Sequence, residues 1–393
     1  MKKILIIEDN QIVANVYRNK FLVEGYQTEV ALDGESGLKL VHSFKPNMIL
    51  LDLMLPKMSG VDVIRDVRGQ EEFAKLPIVV FSNTYLTNLI QDAWKAGATK
   101  CLSKASCSPK DILDIVKATI GESGQGVRTG NTTFERKKPE SATATPQDAK
   151  LQTDLRKSFV DTMPSTLATL RTGIQTLIRA TGEMDQLNQI HELYRQMHTL
   201  TGNAALAGLN IIAKMADSIE ALLKELYEKP KNINSSTVRT IAAGIDFLAF
   251  LFDKATQPDK QDMPAANILV VDDEPISRRA VIYALEKAHF SSVSAEDATT
   301  ALIFLEEKNF DLIFLDVNMP GMTGYELCTK IRNMPHYKKT PVVFVTALSD
   351  FDSRTSSMIA GGNDFIAKPF LFIELTVKAL IHVLRAKLQS GRW

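Results

Sequence analysis

Four polar residues with chemically useful side chains recur in the second half of the chain at an unchanged spacing. Each residue of the second set lies 264 positions after its counterpart in the first set. The pairs are Asp9 and Asp273, Asp52 and Asp316, Ser82 and Thr346, and Lys104 and Lys368. Chance does not keep four polar residues in register through two stretches of otherwise different sequence. The chain therefore carries one site twice.

The residue types at this repeated site suit the transfer of a phosphoryl group. Each set contains an acid pair and a lone aspartate, and crowded carboxylates raise one another's pKa unless a cation balances them. Oxygen ligands of this kind suit Mg²⁺, and a lysine ammonium can bind a phosphoryl oxygen. These groups together meet the requirements of phosphoryl transfer, with Asp52 and Asp316 as the nucleophiles. The alternative, carboxylates that merely cap helices in a flavodoxin-like domain, does not explain two complete sets.

Short apolar runs place these residues at the ends of strands. In the first segment the runs cover 3–7, 48–51 and 77–81, and stretches with helical periodicity separate them. Continuous apolar strands that alternate with helices predict a parallel sheet covered on both faces. Functional groups of such sheets gather at the carboxyl ends of the strands, which is where the repeated residues fall.

The chain divides into three domains and two linkers. Polar stretches rich in small residues at 121–149 and 256–265 predict linkers. They separate an α/β domain at 1–120, a middle domain at 150–255 and a second α/β domain at 266–393. The middle domain has helical periodicity throughout, which predicts an all-α bundle of four to five helices.

Composition excludes several classes of protein. The 46 basic and 46 acidic residues cancel, so no global field favours nucleic acid or an anionic membrane. No apolar stretch approaches the roughly 20 residues that span a bilayer, and MKKILIIED predicts a buried strand rather than a signal peptide. Three scattered cysteines, Cys101, Cys107 and Cys328, predict neither disulfides nor a metal site. We expect a cytoplasmic protein with inert thiols.

On these motifs, each outer segment resembles a receiver domain of bacterial two-component response regulators. The resemblance implies a flavodoxin-like (βα)5 fold with a five-stranded parallel sheet, aspartyl phosphorylation and dependence on Mg²⁺. It also implies, by position, a set of metal ligands in each domain, the last of each set acting through its backbone carbonyl. These are Glu8, Asp9, Asp52 and Met54 in the first domain, and Asp272, Asp273, Asp316 and Asn318 in the second.

The two sites differ around the lysine. Lys368 is followed by Pro369 and preceded by Phe365, where receivers commonly carry a switch aromatic. Lys104 is followed by Ala105, and Cys101 stands at the aromatic position. We therefore expect Lys104 to be held less firmly than Lys368, and the second domain to be the more complete switch.

One histidine of the middle domain lies in a motif for phosphotransfer. HTLTGNAALAGL at 198–209 resembles the histidine phosphotransfer motif, although Thr201 replaces the usual lysine. In helical projection His198 lies about 120° from the apolar face, on a stripe with His191, Arg195 and Gly202. We expect His198 to be exposed for docking, Arg195 to assist it, and His191 to be an ordinary surface residue.

The resulting hypothesis is a protein of a multistep phosphorelay with a receiver, a phosphotransfer domain and a second receiver. Phosphoryl groups would pass between Asp52 or Asp316 and His198, or to and from a sensor histidine kinase or other phosphorelay proteins. The protein would not be an enzyme beyond self-phosphorylation and autodephosphorylation of its receivers, and it could form homodimers through them. The alternative is a signalling adaptor whose receivers change shape or dimerise on phosphorylation, with an inert helical spacer between them.

Overall fold

A computed structural model describes most of the chain and divides it into two compact units. The described residues are 1–82, 89–104, 109–121, 146–254, 264–346 and 361–390. One unit contains Met1–Thr166 with Gln196–Asp217, and the other contains Leu167–Arg195 with Ser218–Trp393. Most of the predicted linkers at 121–149 and 256–265 lies outside the described residues, so these boundaries stay predictions.

The first unit contains a five-stranded parallel sheet with the order β2-β1-β3-β4-β5. Its strands are β1 (Lys3–Ile7), β2 (Gln27–Ala31), β3 (Met48–Leu51), β4 (Ile78–Ser82) and β5 (Lys100–Ser103). The described helices around this sheet are α1 (Gln11–Val23), α2 (Gly34–Phe44), α3 (Gly60–Arg68), α4 (Leu89–Ala96) and α5 (Pro109–Gly121), with a short 3-10 helix at Glu71–Phe73. This strand order is the flavodoxin-like one and confirms the predicted fold of the first domain.

The local sequence explains the central strands and the first helix. β1 and β3 consist largely of buried aliphatic residues, as expected for strands covered on both faces. Helix α1 begins where the Asn10 side chain accepts hydrogen bonds from the backbone N–H groups of Ile12 and Val13. Its buried face, which includes Val13 and Tyr17, packs in the same apolar cluster as Ile4 of β1.

The middle segment is helical, as predicted. Its helices are α6 (Pro146–Arg179), α7 (Glu183–Leu206), α8 (Asn210–Glu228) and α9 (Ser235–Lys254), with a 3-10 helix at Pro230–Asn232. Gly208, with φ of +71°, follows the end of α7 in the left-handed conformation that often terminates helices.

Helix α9 is unusually apolar. Among the residues that the structure describes, it alone is long and apolar enough to cross a membrane, with a mean hydropathy of 1.3. Half of that stretch is buried within the protein, and its buried residues include Ile241, Ile245 and Leu248. Because a core helix of a soluble protein meets the same criteria, α9 is weak evidence for a membrane span.

The second unit contains a second sheet with the same topology, β7-β6-β8-β9-β10. Its strands are β6 (Asn267–Val271), β7 (Ser291–Ala295), β8 (Leu312–Asp316), β9 (Val342–Thr346) and β10 (Asp364–Ala367). Among the described residues, the helices around this sheet are α10 (Pro275–Lys287), α11 (Ala298–Glu307), α12 (Gly324–Asn333) and α13 (Phe372–Ser390), with a 3-10 helix at Pro335–Tyr337. The two outer domains therefore share one fold.

The repeat extends to residues that build the fold. The Nε of Arg68 donates to the carbonyl oxygen of Gly97 at 2.8 Å, and Arg332 makes the same bond to Gly361 at 2.8 Å. Both glycines have positive φ, +105° and +87°, a conformation that costs glycine little. Both pairs keep the 264-residue offset, so the offset reflects a shared backbone as well as a shared site.

Candidate functional site

In the first domain, the carboxyl ends of β1 and β3 bring three predicted carboxylates together. Glu8 and Asp9 directly follow β1, and Asp52 directly follows β3. Oxygens of these three side chains lie within 4.8 Å of one another. Glu8 and Asp52 are buried, whereas Asp9 remains partly open to solvent. Such a cluster requires positive charge nearby.

Lys104 supplies that charge from the end of β5. Its Nζ lies 2.7 Å from Glu8 Oε2 and 2.5 Å from Asp52 Oδ2, and its side chain is 3% exposed. Lys368 makes longer contacts of 2.9 Å to Asp272 and 3.0 Å to Asp316, and is 18% exposed. The expectation that Lys104 is held less firmly is therefore wrong. Two short charge-assisted bonds inside the protein fix this lysine without a proline after it, whereas Lys368–Pro369 is a cis peptide.

The surroundings of Glu8 and Asp52 shift the pKa values of these two carboxyl groups in opposite directions. Burial raises the pKa of Glu8 to about 7, although Lys104 opposes the shift. Burial also acts to raise the pKa of Asp52, but Lys104 and His198 outweigh it and hold that pKa below its usual range. The pKa of Lys104 is raised because Asp52 and Glu8 outweigh its own desolvation. Asp52 is therefore the carboxylate of the cluster whose ionised form its surroundings favour most strongly.

The second domain repeats the cluster with weaker enclosure. Asp272 and Asp273 follow β6, and Asp316 ends β8, with carboxylate oxygens again within 4.8 Å of one another. Asp272 Oδ2 also accepts a hydrogen bond of 2.6 Å from Ser277 Oγ. Burial raises the pKa of Asp316, and Lys368 counteracts the shift only in part. The pKa of Asp52 is thus lowered and that of Asp316 is raised, although the two residues occupy equivalent positions.

The other predicted residues of the sites lie at the expected strand ends. Ser82 ends β4 and Thr346 ends β9, and both are fully buried. The backbone N–H of Met54 donates to Asp52 Oδ1 at 3.2 Å, and Asn318 is exposed two residues beyond Asp316. The roles predicted for these four residues stay predictions.

Two glycines beside the aspartates were missed by the sequence argument. A Cβ on Gly60 would lie 2.3 Å from the carbonyl oxygen of Asp52, and a Cβ on Gly324 would lie 2.1 Å from that of Asp316. Each glycine begins the helix after the aspartate, α3 or α12, and a side chain there would displace the backbone that carries the aspartate. Their 264-residue offset was the available signal.

His198 lies on α7 and points into the first carboxylate cluster. Its Nε2 is 3.2 Å from Asp52 Oδ2 and 3.8 Å from Asp9 Oδ1. The residue is 6% exposed, so the expectation of an exposed histidine is wrong for this structure. The imidazole is instead enclosed by the receiver-like domain of its own chain.

Helix α1 covers the stripe that contains His198 and Gly202. A Cβ on Gly202 would lie 3.4 Å from Val13 Cγ2, which is ordinary van der Waals contact. Asn10 Nδ2 donates to Asn203 Oδ1 at 3.3 Å, and Leu206 joins the apolar cluster that includes Val13. The part of the predicted stripe from His198 to Gly202 therefore packs against α1 of the same chain, whereas His191 and Arg195 on the same stripe are exposed.

The neighbours of His198 along α7 supply no cation at the predicted lysine position. Thr201 is fully buried and its Oγ1 donates to the carbonyl oxygen of Met197 at 2.9 Å. Arg195 is exposed, so its assistance stays a prediction. His191 is exposed, as predicted, and its ring centroid is 4.9 Å from that of Tyr227.

The described cysteines lie away from the chemistry. Cys101 is buried on β5, and burial raises the pKa of its thiol to about 12. Cys328 is also buried and its pKa is raised by desolvation. A thiolate is the reactive form, so neither site favours reactivity. Cys107 lies outside the described residues.

Comparison with protein families gives the same domain order. The response regulator receiver domain matches residues 4–117 and 268–380, which is more than half of the chain. The chain belongs to the response regulator receiver family. The Hpt domain matches residues 154–248, between the two receivers. This order confirms the predicted arrangement of a receiver, a phosphotransfer domain and a second receiver.

Individual relatives match one part of the chain at a time. The transcriptional regulatory protein ResD of Bacillus subtilis is 41% identical over 116 residues, which are 29% of this chain and 47% of that protein. The chemotaxis protein CheY of Pseudomonas aeruginosa is 40% identical over 104 residues, 26% of this chain and 84% of that protein. The chain spans about half the length of the first curated relatives it matches. Among solved structures, the chemotaxis response regulator CheY4 of Vibrio cholerae is 32% identical, with a TM-score of 0.29, over 30% of this chain and 99% of that one.

Proposed function

We propose that phosphoryl groups pass between Asp52 and His198 within one chain, and that Asp316 is a second, separate phosphoryl acceptor. The observation that carries this proposal is the 3.2 Å contact between His198 Nε2 and Asp52 Oδ2. Two groups that exchange a phosphoryl group must face each other along one line, and binding them in place removes most of the entropic barrier.

The transfer step uses the two contacting atoms. When Asp52 carries the phosphoryl group, the lone pair of neutral His198 Nε2 attacks the phosphorus, an N–P bond forms and the bond to the Asp52 oxygen breaks. Asp52 leaves as a carboxylate with the electron pair of that bond. In the reverse direction the carboxylate oxygen attacks, and the pair returns to Nε2. The phosphorus must lie between the two atoms, so the direct contact corresponds to the unphosphorylated state.

The surrounding groups are suited to the charge of the transferring group. Lys104 lies against Asp52 and Lys368 against Asp316, and each ammonium would bind a phosphoryl oxygen. Ser82 and Thr346 end the adjacent strands and would each donate a hydrogen bond from the hydroxyl. Preorganised positive charge and donors at such a site stabilise the transition state.

Magnesium fits the donor set of each receiver. Three carboxylates with oxygens within 4.8 Å of one another provide the hard ligands that Mg²⁺ prefers, with room for water. Glu8, Asp9 and Asp52, with the carbonyl of Met54, would hold the ion in the first receiver. The second would use Asp272, Asp273, Asp316 and the carbonyl of Asn318. When bound, the ion would neutralise negative charge on the phosphoryl oxygens.

The same proposal covers partners and cellular location. Receiver and Hpt domains are phosphoacceptor and transfer modules, so we propose that the chain has no further enzymatic activity and exchanges phosphoryl groups with a histidine kinase or other relay proteins. The balanced charge supports a protein without nucleic-acid or membrane partners. We also propose that it acts in the cytoplasm and can form homodimers through its receivers.

The full chain and four variants test the transfer. After loading with radiolabelled acetyl phosphate, the wild type is expected to acquire acid-labile, base-stable label, which identifies phosphohistidine. Asp52→Asn and His198→Gln are expected to lose this label, whereas Asp316→Asn and the matched control His191→Gln keep it. Unchanged base-stable label in His198→Gln would contradict the proposal.

A second candidate is the signalling adaptor with an inert Hpt domain. The observation that favours it is the absence of a cation at position 201, where Thr201 is buried and bonded to its own helix. An adaptor would show phosphorylation of Asp52 and Asp316 and a change in shape or oligomeric state, with no label on His198.

A further inference from the structure

The last helix of the Hpt domain is bonded to the last helix of the second receiver. Glu374, in the first turn of α13, is 2% exposed. Its Oε1 accepts hydrogen bonds from Ser236 Oγ at 2.5 Å and from Thr240 Oγ1 at 3.0 Å, both on α9. A buried carboxylate is costly without such donors, so the hydroxyls of α9 and the acid of α13 specify this contact.

Two arginine contacts with aromatic rings strengthen the same interface. The guanidinium of Arg239 on α9 lies 4.9 Å from the ring centroid of Phe365 on β10. In the opposite direction, Arg385 on α13 lies 5.3 Å from the ring of Phe247 on α9. Each domain thus contributes one cation to an aromatic ring of the other, an attraction that grows as the pair is desolvated.

Strand β10 connects this interface to the phosphoryl acceptor. Lys368 follows the strand directly and binds Asp316 at 3.0 Å. At the other end of the strand, Asp364 Oδ2 accepts from Lys378 Nζ of α13 at 2.6 Å and lies 3.3 Å from His382 Nε2. The short strand that carries Phe365 is therefore attached at one end to Asp316 and at the other to α13.

We propose that the second receiver regulates the Hpt domain, because phosphorylation of Asp316 disturbs the contact of β10 and α13 with α9. A phosphoryl group on Asp316 competes for the Lys368 ammonium, and movement of Lys368 displaces the strand that holds Phe365 under Arg239. This inference rests on the proposed function only in taking Asp316 as a phosphoryl acceptor. It does not require transfer to His198.

The first receiver contacts the Hpt domain through different residues. Cys101 stands where the second receiver has Phe365, and no aromatic ring is available at that position for a cation of α9. The first receiver instead presents Asp52 to His198. The two receivers thus use different surfaces, one for chemistry and one for control.

Thermodynamic linkage gives a direct test, because coupling between two sites is reciprocal. The full chain with Asp52→Asn leaves Asp316 as the receiver acceptor, and beryllofluoride with Mg²⁺ serves as the phosphoryl analogue, followed by fluorine NMR. Arg239→Ala is expected to tighten beryllofluoride binding by about fivefold or more, the lower end of typical coupling. Arg239→Lys keeps the charge, and its affinity for beryllofluoride is expected to lie between those of the parent chain and of Arg239→Ala. Arg171→Ala removes another arginine contact to α9, with Asp246 at 3.2 Å, and is expected to leave the affinity unchanged.

Hydrogen exchange gives the second readout. Beryllofluoride is expected to accelerate amide exchange in 235–254, and to have no effect there once Asp316→Asn is added. Equal affinities in Arg239→Ala and Arg171→Ala, or exchange in α9 that does not respond to bound beryllofluoride, would overturn the proposal. A missing signal of bound beryllofluoride would instead reject Asp316 as the acceptor, and with it the trigger of the regulation.

Discussion

Replacing Gly202 with alanine separates two explanations for a glycine inside α7. If the glycine leaves space for an outside protein, a methyl group should hinder transfer. The structure places Val13 Cγ2 of the same chain 3.4 Å from the position of an added Cβ, and Asn10 Nδ2 at 3.6 Å. Both are ordinary contact distances, so Gly202→Ala should fit without displacing α1.

The expected stabilisation of α7 by Gly202→Ala follows from helix propensity. Alanine is favoured over glycine within a helix by roughly 1 kcal/mol, which corresponds to about a fivefold change in the opening equilibrium of α7. Amide hydrogen exchange in α7 should slow by that factor, because exchange reports local opening. The rate at which base-stable label appears on His198 should stay at the wild-type level.

A larger side chain at the same position supplies the contrast. Gly202→Leu would force α1 and α7 apart, since overpacking of a filled contact costs about 1–3 kcal/mol, and transfer to His198 should fall. The reasoning is refuted if Gly202→Ala transfers as poorly as Gly202→Leu, or if Gly202→Leu transfers as well as the wild type.

Two further predictions concern the buried ion pairs. Lys104→Met should lower the free energy of unfolding by about 3–5 kcal/mol, the cost of leaving buried partners unpaired. The loss should be smaller for Lys368→Met, because Lys368 is more exposed. Urea denaturation of both variants checks this order, and equal losses would contradict it. Burial acts to raise the pKa of Asp364, but His382 and Lys378 outweigh burial and lower that pKa. The stability that ionised Asp364 contributes is therefore present above the unfolded pKa of about 3.9 and is lost as pH falls through the folded pKa. The difference in unfolding free energy between wild type and Asp364→Asn should therefore shrink as pH falls below about 4, whereas a constant difference would count against the charge as its source.

The composition of both receiver sites was predictable because it depends on local sequence. An apolar run fixes a buried strand, and the polar residue after it must lie at the carboxyl edge of the sheet, as Asp52 and Lys104 do. The duplicated spacing made the pattern specific. The helical stripe of His198 and Gly202 was predictable for the same reason, since periodicity depends on neighbouring residues alone.

The contacts between domains were not predictable in this way. Periodicity showed which face of α7 is polar, but not that α1 covers it and buries His198. Glu374 has the type and spacing of an ordinary exposed acid in a first helical turn, and only tertiary packing brings Ser236 and Thr240 to it. How tightly the Lys104 side chain is held also depends on its burial, and the identity of the next residue, Ala105, does not determine that burial.

The kinetic order of transfer between Asp52 and His198 tests the central claim most directly. Loaded with acetyl phosphate over a range of protein concentrations, the wild-type chain should form base-stable label at a rate per molecule that does not depend on concentration. A mixture of Asp52→Asn and His198→Gln chains, each lacking one partner, should form far less at the same total concentration. A rate that rises in proportion to concentration, or a mixture that matches the wild type, would show transfer between chains and contradict the account.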